Sequence, residues 1–573
     1  MGKLLNSYLL FIFSEILLSA GFQAYAVDYD YSFTDECLEK PHRPQYKGGI
    51  VVNPELHDGF NGWKAFGGTV IEHRECGNNN YIVATKRSHS FDSVTQTFDL
   101  EEDKIYTFSA WLQVSDGSSV DIAAMMTTNK GYKIMGWVTA QEGCWLMLKG
   151  GLSNVSGTAQ LYFESQNSKV DIWVDSVSLQ PFTKEEWKSH QEQSVNKVRK
   201  SKVKFVVVDQ KNQPIPNATV SMKQNFATFP FGCAINNNIL NNPKYQNWFT
   251  SRFKLSVFEN ELKWYSTEYT RGHVDYSTSD ALLKFCDSHN ISVRGHNILW
   301  DVKNGNPSWV QSLPPDALRR AANDRTRSVV SKYRGRFRQW DVVNENIHGS
   351  FYENALGSNA SAVFYEMTNE IDPNATLFLN DYNTIEECRD GSSSPWKYLQ
   401  KIKDFRDFGY EDLLGIGLEG HFSYLNLPYI RATIDVVAAA KLPIWVTELD
   451  VSAGPNQASF LDQIINELYA HPKMEGILLW SAWNPHGCYQ MCLTDNNFKN
   501  LATGDVVDNF ISYLTHNADS PGSTDSNGIY EKSLFHGEYE VTVQHPNGVS
   551  SSRQIDVVPR DEAQGLHVLS IQI

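Results

Sequence analysis

Three patterns predict an α/β chain that combines a (β/α)8 TIM barrel with an N-terminal antiparallel β-sandwich and a small split β-domain. Short apolar runs that alternate with helix-like segments predict parallel βα units over residues 228–515. Alternating apolar and polar residues with Gly-rich breaks predict the sandwich over residues 47–182. Similar strand patterns at residues 201–227 and 516–573 predict one β-domain into which the barrel is inserted. A length of 573 residues is too great for one core.

The first residues resemble a secretory signal peptide. Lys3 precedes a mostly apolar stretch, and Ala24-Tyr25-Ala26 forms a small-x-small cleavage site, so residues 1–26 are the predicted signal and residues 27–46 a lead segment. We therefore expect a secreted, extracellular protein. Secretion makes five Asn-x-Ser/Thr sequons available for glycosylation, at Asn154, Asn217, Asn290, Asn359 and Asn374.

The segments around the barrel carry few chemical signals. The sandwich shows no acid/base constellation, and Thr183 with Glu186 forms a capping box that opens a charged helix or linker over residues 183–200. Eight cysteines show no zinc spacing. Cys488 and Cys492 are close enough to pair, although spacing alone cannot show it.

Each apolar run of the barrel region ends in polar or aromatic side chains, among them Glu259, His296, Glu345, Glu448 and Trp480. Because active sites of such barrels lie at the carboxyl ends of the strands, we expect these side chains to share one cleft. The predicted strands are residues 229–235, 254–258, 291–295, 337–343, 376–379, 413–418, 442–447 and 476–480, with helices at 276–289 and 315–333.

Two carboxylates at strand ends indicate general acid/base chemistry on a glycosidic bond. One carboxyl of the pair Glu345 and Glu448 would protonate the leaving oxygen while the other attacks or activates water. The plain alternative is a pair of solvated surface acids.

The net charge of −16 argues against nucleic acid as a partner, because phosphate contacts need clustered Lys and Arg. No later stretch is apolar for long enough to span a membrane. We expect a monomer, although the sequence does not give the oligomeric state.

Motifs in the barrel region are similar to those of the family-10 glycoside hydrolases, the endo-β-1,4-xylanases, and the modular arrangement resembles that of plant enzymes that act on xylan in cell walls. The sandwich resembles a family-22 carbohydrate-binding module through Asn53-Pro54, Gly62-Trp63 and the strands at residues 106–111 and 173–177. The barrel motifs are residues 259–264, 294–300, 340–345, 380–383, 415–421 and 447–450.

The resemblance implies a retaining mechanism in which Glu345 is the general acid/base and Glu448 the nucleophile. It implies that Asn344 bonds the sugar 2-hydroxyl and that no metal or organic cofactor takes part in catalysis. The other implied substrate-binding residues are Glu259, Asn260, Lys263, His296, Trp300, Tyr382, His421 and Trp480.

For the sandwich, the resemblance implies a sugar-binding face with Trp63, Tyr132, Trp137 and Glu164 as candidates. It also implies a structural calcium, for which oxygen ligands from Asp or Glu would be suitable.

The sequence departs from the family pattern at several cleft positions. Glu419 stands where the family commonly has Gln, and a third acid could raise a carboxyl pKa and shift the pH optimum. Lys303 replaces a usual Gln, Ser481 replaces a usual Gly, and the second cleft Trp is not obvious at residues 486–489. Two alternatives therefore stay open: a transglycosylase with the same active-site residues, and a wall-polysaccharide-binding protein with weak catalysis.

Overall fold

A computed structural model describes residues 27–573 except 116, 118, 130, 413, 516–520 and 561–564. The predicted signal peptide lies outside the described residues, as does the first residue of the strand predicted at 413–418. Within the described ranges, no helix is both long and apolar enough to cross a bilayer.

The N-terminal part is an antiparallel β-sandwich, as the alternating pattern predicts. Its strands are β1 Lys64–Phe66, β2 Val70–Cys76, β3 Asn79–Thr85, β4 Ser93–Leu100, β5 Lys104–Val114, β6 Val120–Thr128, β7 Gly131–Ala140, β8 Leu146–Ser153, β9 Gly157–Glu164 and β10 Ile172–Thr183. One sheet has the order β1-β4-β9-β6-β7 and the other the order β2-β3-β10-β5-β8. Apolar side chains of both sheets enter one core.

Two segments far apart in the chain build the small β-domain. Strands β11 Lys200–Val208 and β12 Thr219–Ala227 precede the barrel, and β24 Gly522–Ser523, β25 Ile529–Phe535, β26 Gly537–Gln544, β27 Ser550–Val557 and β28 His567–Gln572 follow it. Strand β11 pairs with β25 and β28, while β12 pairs with β24 and β26. The two segments therefore share sheets, as the sequence predicts, and they enclose their own apolar core.

The central part is a closed parallel barrel, which confirms the predicted (β/α)8 fold. Its strands are β13 Phe231–Ile235, β14 Leu255–Phe258, β15 Ser292–Arg294, β17 Gln339–Asp341, β19 Thr376–Asp381, β20 Leu414–Leu418, β22 Ile444–Val451 and β23 Met474–Leu479, with short flanking strands β16 Leu299–Trp300, β18 Val343–Asn344 and β21 His421–Phe422. Neighbours in the chain are neighbours in the sheet, and β23 returns to β13. A parallel bridge between Gly295 and Trp340 joins β15 to β17 and closes the ring.

Helices between the strands cover the outside of the barrel with their apolar faces, because each helix buries its apolar residues against the sheet. The helices of the described chain are α1 Lys184–Val198, α2 Pro243–Thr250, α3 Trp264–Thr267, α4 Ser277–Ser288, α5 Pro315–Tyr333, α6 Phe351–Leu356, α7 Ala360–Ile371, α8 Pro395–Asp407, α9 Leu427–Val437, α10 Gln457–Ala470 and α11 Ala502–Thr515.

The sandwich is docked on the barrel rather than tethered to it. Every residue of helix α9 is buried, because β5 and β8 of the sandwich cover its outer face. A fully buried ion pair joins the two parts, with Lys149 Nζ 2.7 Å from Asp435 Oδ2. The hydroxyl of Tyr29 also donates to this carboxylate at 2.8 Å.

The segment predicted as a charged linker at residues 183–200 is a helix packed on the barrel. The capping box is present, with Glu186 N–H donating to Thr183 Oγ1 at 3.0 Å. Trp187 is buried, and its indole N–H donates to Glu467 of α10 at 2.7 Å. Of the two alternatives for this segment, a helix or a linker, the structure has the helix, because the few apolar residues of the segment find a partner in the folded barrel.

Candidate active site

Three acidic side chains meet at the carboxyl-terminal side of the barrel. Glu345 follows β18, Glu419 follows β20, and Glu448 lies within β22. Their backbones continue the sheet, since the amide of Glu345 donates to Asn380 O at 2.8 Å and the amide of Glu448 donates to Glu419 O at 2.9 Å. The barrel therefore brings Glu345 and Glu448 to one cleft, together with the acid at the position where the family commonly has Gln.

The amide of Asn380 lies at the centre of this group. Its Nδ2 is 3.0 Å from Asn344 Oδ1, 3.1 Å from Glu419 Oε1 and 3.3 Å from Glu448 Oε1. Its Oδ1 accepts from the hydroxyl of Thr447 at 2.5 Å, which fixes the orientation of the amide. Asn380 is not among the predicted substrate-binding residues, although its position at the end of a predicted strand could have indicated it.

Glu448 is held as a carboxylate. Burial raises its pKa, but His296, His421 and Lys263 outweigh that effect and lower the pKa to about 2. The Nδ1 of His296 is 3.8 Å from Glu448 Oε1, and the Nε2 of His421 is 3.6 Å from Glu448 Oε2. Glu448 is therefore ionised across the range in which most enzymes work.

Glu345, unlike Glu448, tends to keep its proton. Burial is the main cause that raises its pKa to about 7, Asp381 and Glu448 raise it further, and the indole of Trp300 and the charge of Lys263 oppose the rise. The Nδ2 of Asn344 is 3.3 Å from Glu345 Oε1. Two acids of the same residue type thus differ in protonation near neutral pH, which is the arrangement that acid/base catalysis requires.

Glu419 is the third acid. Burial and the charges of Glu448 and Glu345 raise its pKa well above the ordinary value. Its Oε2 is 3.6 Å from His421 Nε2, the same nitrogen that lies 3.6 Å from Glu448. Because two carboxylates next to one imidazole repel each other, one stays ionised and the other holds a proton.

Further acids orient the two cleft histidines. His296 Nδ1 is 2.8 Å from Asp341 Oδ2, and Asp341 is also bonded to the buried Arg294. His421 Nδ1 is 2.8 Å from Asp450 Oδ1. The other ring nitrogen of His421 is therefore free to face the carboxylates.

Lys263 lies between two tryptophans at the cleft surface. Its Nζ is 4.6 Å from the ring centre of Trp300 and 5.5 Å from that of Trp480, and 3.3 Å from Asn260 Oδ1. Burial lowers the pKa of Lys263, although the surrounding glutamates oppose this shift. The predicted residue Glu259 directly follows β14 in the same loop as Lys263, and Asn236 Nδ2 donates to its Oε1 at 3.1 Å.

Tyr382 is part of a stack that the sequence did not predict. Its ring lies 3.8 Å from the ring of His348 and is nearly parallel to it. His348 is also clamped between two acids, 2.5 Å from Asp381 Oδ1 and 2.9 Å from Asp390 Oδ2. Burial lowers the pKa of His348, but these acids raise it overall to about 9, so a cationic ring supports Tyr382.

The loop after β23 explains the missing cleft tryptophan. Trp483 is buried, with its indole N–H donating to Asn496 Oδ1 at 2.9 Å, so it belongs to the core. Tyr489 instead projects from the loop with 71% of its surface exposed, 5.1 Å from the ring of His421. A disulfide between Cys488 and Cys492 closes this loop. The sequence alone did not decide whether these two cysteines pair.

Two other departures from the family pattern follow the strands β16 and β23. Lys303 is exposed, and Ser481 is buried beside Trp480 with a positive φ of 73°. Such a φ favours Gly, the usual family residue, so the serine accepts some backbone strain there.

Three of the four sandwich candidates lie together, and one prediction was wrong. Tyr132, Trp137 and Glu164 line one cavity of about 830 Å³. Trp63 is only 3% exposed and donates its indole N–H to Asn53 O at 3.3 Å, so it is a core residue. A Gly-Trp pair between short strands does not show to which side of the sheet the ring turns.

The structural calcium expected in the sandwich stays a prediction. The carboxylate, imidazole and thiol groups that converge in the described chain are those of Glu419, His421 and Glu448 in the barrel, whose ligand atoms lie within 4.8 Å of one another. In the sandwich, the guanidinium of Arg87 binds five backbone carbonyls. These are the carbonyls of Ser90, Asp92, Ser165, Asn167 and Val170.

The family relationship is evident from comparisons with known proteins. A family model described as glycosyl hydrolase family 10 matches residues 219–500. The chain is 39% identical to endo-1,4-beta-xylanase 5 of Arabidopsis thaliana over 540 residues, which covers 92% of this chain and 91% of that protein. It is 33% identical to endo-1,4-beta-xylanase 4 of the same plant over 584 residues, with 98% of each chain covered.

Among solved structures, xylanase 10B from Thermotoga petrophila RKU-1 in complex with xylobiose is similar, with a TM-score of 0.44 and 25% identity, and the match covers 50% of this chain and 95% of that chain. The two plant relatives match over more than nine-tenths of their length at over 30% identity. The chain therefore belongs to glycosyl hydrolase family 10.

Proposed function

We propose that this protein is a retaining endo-1,4-β-xylanase that cleaves xylan of plant cell walls. The observation that carries the proposal is the opposite protonation of two acids at one cleft, with the pKa of Glu345 raised to about 7 and that of Glu448 lowered to about 2. A protonated acid and a carboxylate are the two groups that double displacement at a glycosidic carbon requires. The plant relatives named above are endo-1,4-beta-xylanases, which supports xylan as the substrate.

In the first step Glu345 donates its proton to the glycosidic oxygen while a Glu448 carboxylate oxygen attacks the anomeric carbon. The leaving chain departs as an alcohol, and a covalent glycosyl-enzyme remains on Glu448. In the second step Glu345, now ionised, takes a proton from water as the water attacks the same carbon, and Glu448 is released. Two inversions retain the anomeric configuration.

The neighbouring groups have supporting roles in this proposal. Asn344 bonds the sugar 2-hydroxyl, since its Nδ2 faces Glu345 and its Oδ1 is fixed by Asn380. His421 and His296 stabilise the Glu448 carboxylate. Trp480 and Lys263 hold sugars on one side of the bond, and Tyr382 stacks on a sugar on the other side. The chemistry requires no metal ion or organic cofactor.

Secretion is part of the same proposal. Disulfides at Cys37–Cys144 and Cys488–Cys492 suit an oxidising compartment. The five predicted glycosylation sites are all exposed, namely Asn154, Asn217, Asn290, Asn359 and Asn374.

The test is product release from arabinoxylan and from unsubstituted xylan by the purified protein. We expect short xylo-oligosaccharides with a β-anomeric reducing end at early times, observed by NMR, and at least a ~1,000-fold lower rate for Glu448→Gln and for Glu345→Ala on unactivated xylan. The exposed Glu366 of α7 gives a matched control, since Glu366→Gln should keep full activity.

Two results would contradict the proposal. Binding to xylan without any product would favour the wall-binding alternative. Products longer than the starting oligosaccharide at low substrate concentration would favour transglycosylation.

A further inference from the structure

A cavity of about 830 Å³ lies between the sandwich and the barrel. The sandwich contributes side chains of its β6, β7 and β9 strands, including Tyr132, Tyr162 and Glu164, and the barrel contributes Arg389 and Lys397 from the region before and within α8. The barrel therefore supplies one wall of a cavity whose other wall is the sheet β1-β4-β9-β6-β7.

The cavity has the chemistry of a carbohydrate site. Tyr132 exposes 66% of its surface there, an unusually high value for a large aromatic ring. Tyr162 presents a ring that is stacked on Phe66 at 4.4 Å and is thereby fixed in orientation. Glu164 and the amides of Gln166 and Asn167 supply hydrogen-bonding groups beside these rings. Aromatic faces with a few polar groups bind flat, hydroxyl-rich rings.

The two walls are held together by specific contacts. The indole N–H of Trp137 donates to Cys388 O of the barrel at 2.8 Å. Lys397 of α8 is 2.8 Å from Asp121 of the sandwich. These contacts fix the cavity relative to the barrel loop at residues 382–394, which connects β19 to α8.

The same loop leads directly to the catalytic cleft. Tyr382 at its start is stacked on His348, and His348 contacts Asp390 near the end of the loop at 2.9 Å. Asn383 also donates to Asp390 at 2.8 Å, which folds the loop back on itself. Arg389 and Gly391, the residues on either side of Asp390, line the cavity. The residue between these two lining residues, Asp390, therefore contacts the Tyr382–His348 stack, so this loop joins the cavity to the cleft.

We propose that one polysaccharide chain occupies the catalytic cleft and this cavity at the same time, so that the sandwich extends the Tyr382 side of the active site. This inference rests on the proposed function, since the chain in question is the one that is cleaved. The sandwich is then a remote part of the substrate-binding cleft, not a separate anchor on the wall.

The test uses a ladder of linear xylo-oligosaccharides of increasing length with the full-length protein and its Tyr132→Ala variant. For the parent, kcat/KM should rise with length over the cleft and then rise again once the chain reaches the cavity. Tyr132→Ala should remove only the second rise, a loss of roughly tenfold on long chains, because an aromatic contact is lost. Activity on the shortest substrates should stay unchanged.

A matched control is Phe60→Ala, since Phe60 is an exposed aromatic of the same sandwich that does not line the cavity. Glu164→Gln gives a second cavity variant that keeps the size of the side chain. Unaltered thermal unfolding shows that each variant is folded.

The outcomes separate this inference from the proposed function. Superimposable length profiles for the parent and Tyr132→Ala, with weaker binding of the variant to insoluble xylan, would overturn the inference and establish an independent site. A parent that cleaves none of the oligosaccharides would refute the proposed function itself. If Tyr132→Ala has a normal rate on short substrates and loses only the second rise of kcat/KM with chain length, the result supports both this inference and the proposed function.

Discussion

The pH dependence of kcat/KM should have its alkaline limb near pH 7, because Glu345 must be protonated to act as the general acid. A rise of its pKa from 4.5 to about 7 corresponds to roughly 3.4 kcal/mol in favour of the protonated form. At pH 6 about nine-tenths of the enzyme would then carry the proton, against about three hundredths for an ordinary glutamate, a gain of roughly 30-fold in kcat/KM. Activity is retained below pH 7 and falls about tenfold per unit above it.

The assay is kcat/KM on xylohexaose from pH 3 to pH 9, repeated with Glu345→Ala on an aryl xylobioside whose phenolate leaves without protonation. The variant should form the glycosyl-enzyme at a rate that no longer falls above pH 7. An alkaline limb near pH 4.5 in the parent would refute the raised pKa. A limb near pH 7 that survives in Glu345→Ala would show that another group is responsible.

Three further predictions concern other parts of the molecule. Glu419→Gln should leave the alkaline limb near pH 7, contrary to the expectation from the sequence, because the protonated Glu419 carries no charge that Gln lacks; a limb that moves by a full pH unit would show that Glu419 is ionised in the working range. Lys149→Met should lower the free energy of unfolding by about 3–5 kcal/mol in urea titrations, since it leaves the buried Asp435 with Tyr29 and His471 but without its ammonium partner, and a loss below about 1 kcal/mol would contradict that. Arg87→Met should lower the free energy of unfolding by at least about 2 kcal/mol, because it removes five hydrogen bonds to backbone carbonyls, and an unchanged unfolding curve would contradict this. Chelation with EDTA tests the calcium expected in the sandwich, since loss of a structural ion would lower the melting temperature of the parent.

The barrel could be predicted from the sequence because its signal is local. A buried parallel strand is a short apolar run whatever its neighbours are, and all eight predicted runs overlap barrel strands. The orientation of Trp63 and the docking of Trp187 could not be predicted in this way. Whether a ring in a β-sheet or on a charged helix is buried depends on partners that are far away in the sequence.

The same contrast holds within the cleft. Glu345 and Glu448 were predicted because each follows an apolar run in the sequence. The clamp of His348 between Asp381 and Asp390, and the pairing of His421 with Asp450, were not predicted, since they join side chains of different strands and loops. Such pairs orient the catalytic groups, and only the closed ring of strands brings them within hydrogen-bond distance.

The split β-domain has a consequence for synthesis of the chain on the ribosome. Strands β11 and β12 emerge early, but their partners β24, β25, β26 and β28 emerge only after the whole barrel. Until then the edges of β11 and β12 have unpaired backbone groups, which are a template for wrong pairing. A nascent chain that stalls or is truncated within the barrel should therefore aggregate through these edges. Only synthesis of the last strands covers them and completes the β-domain.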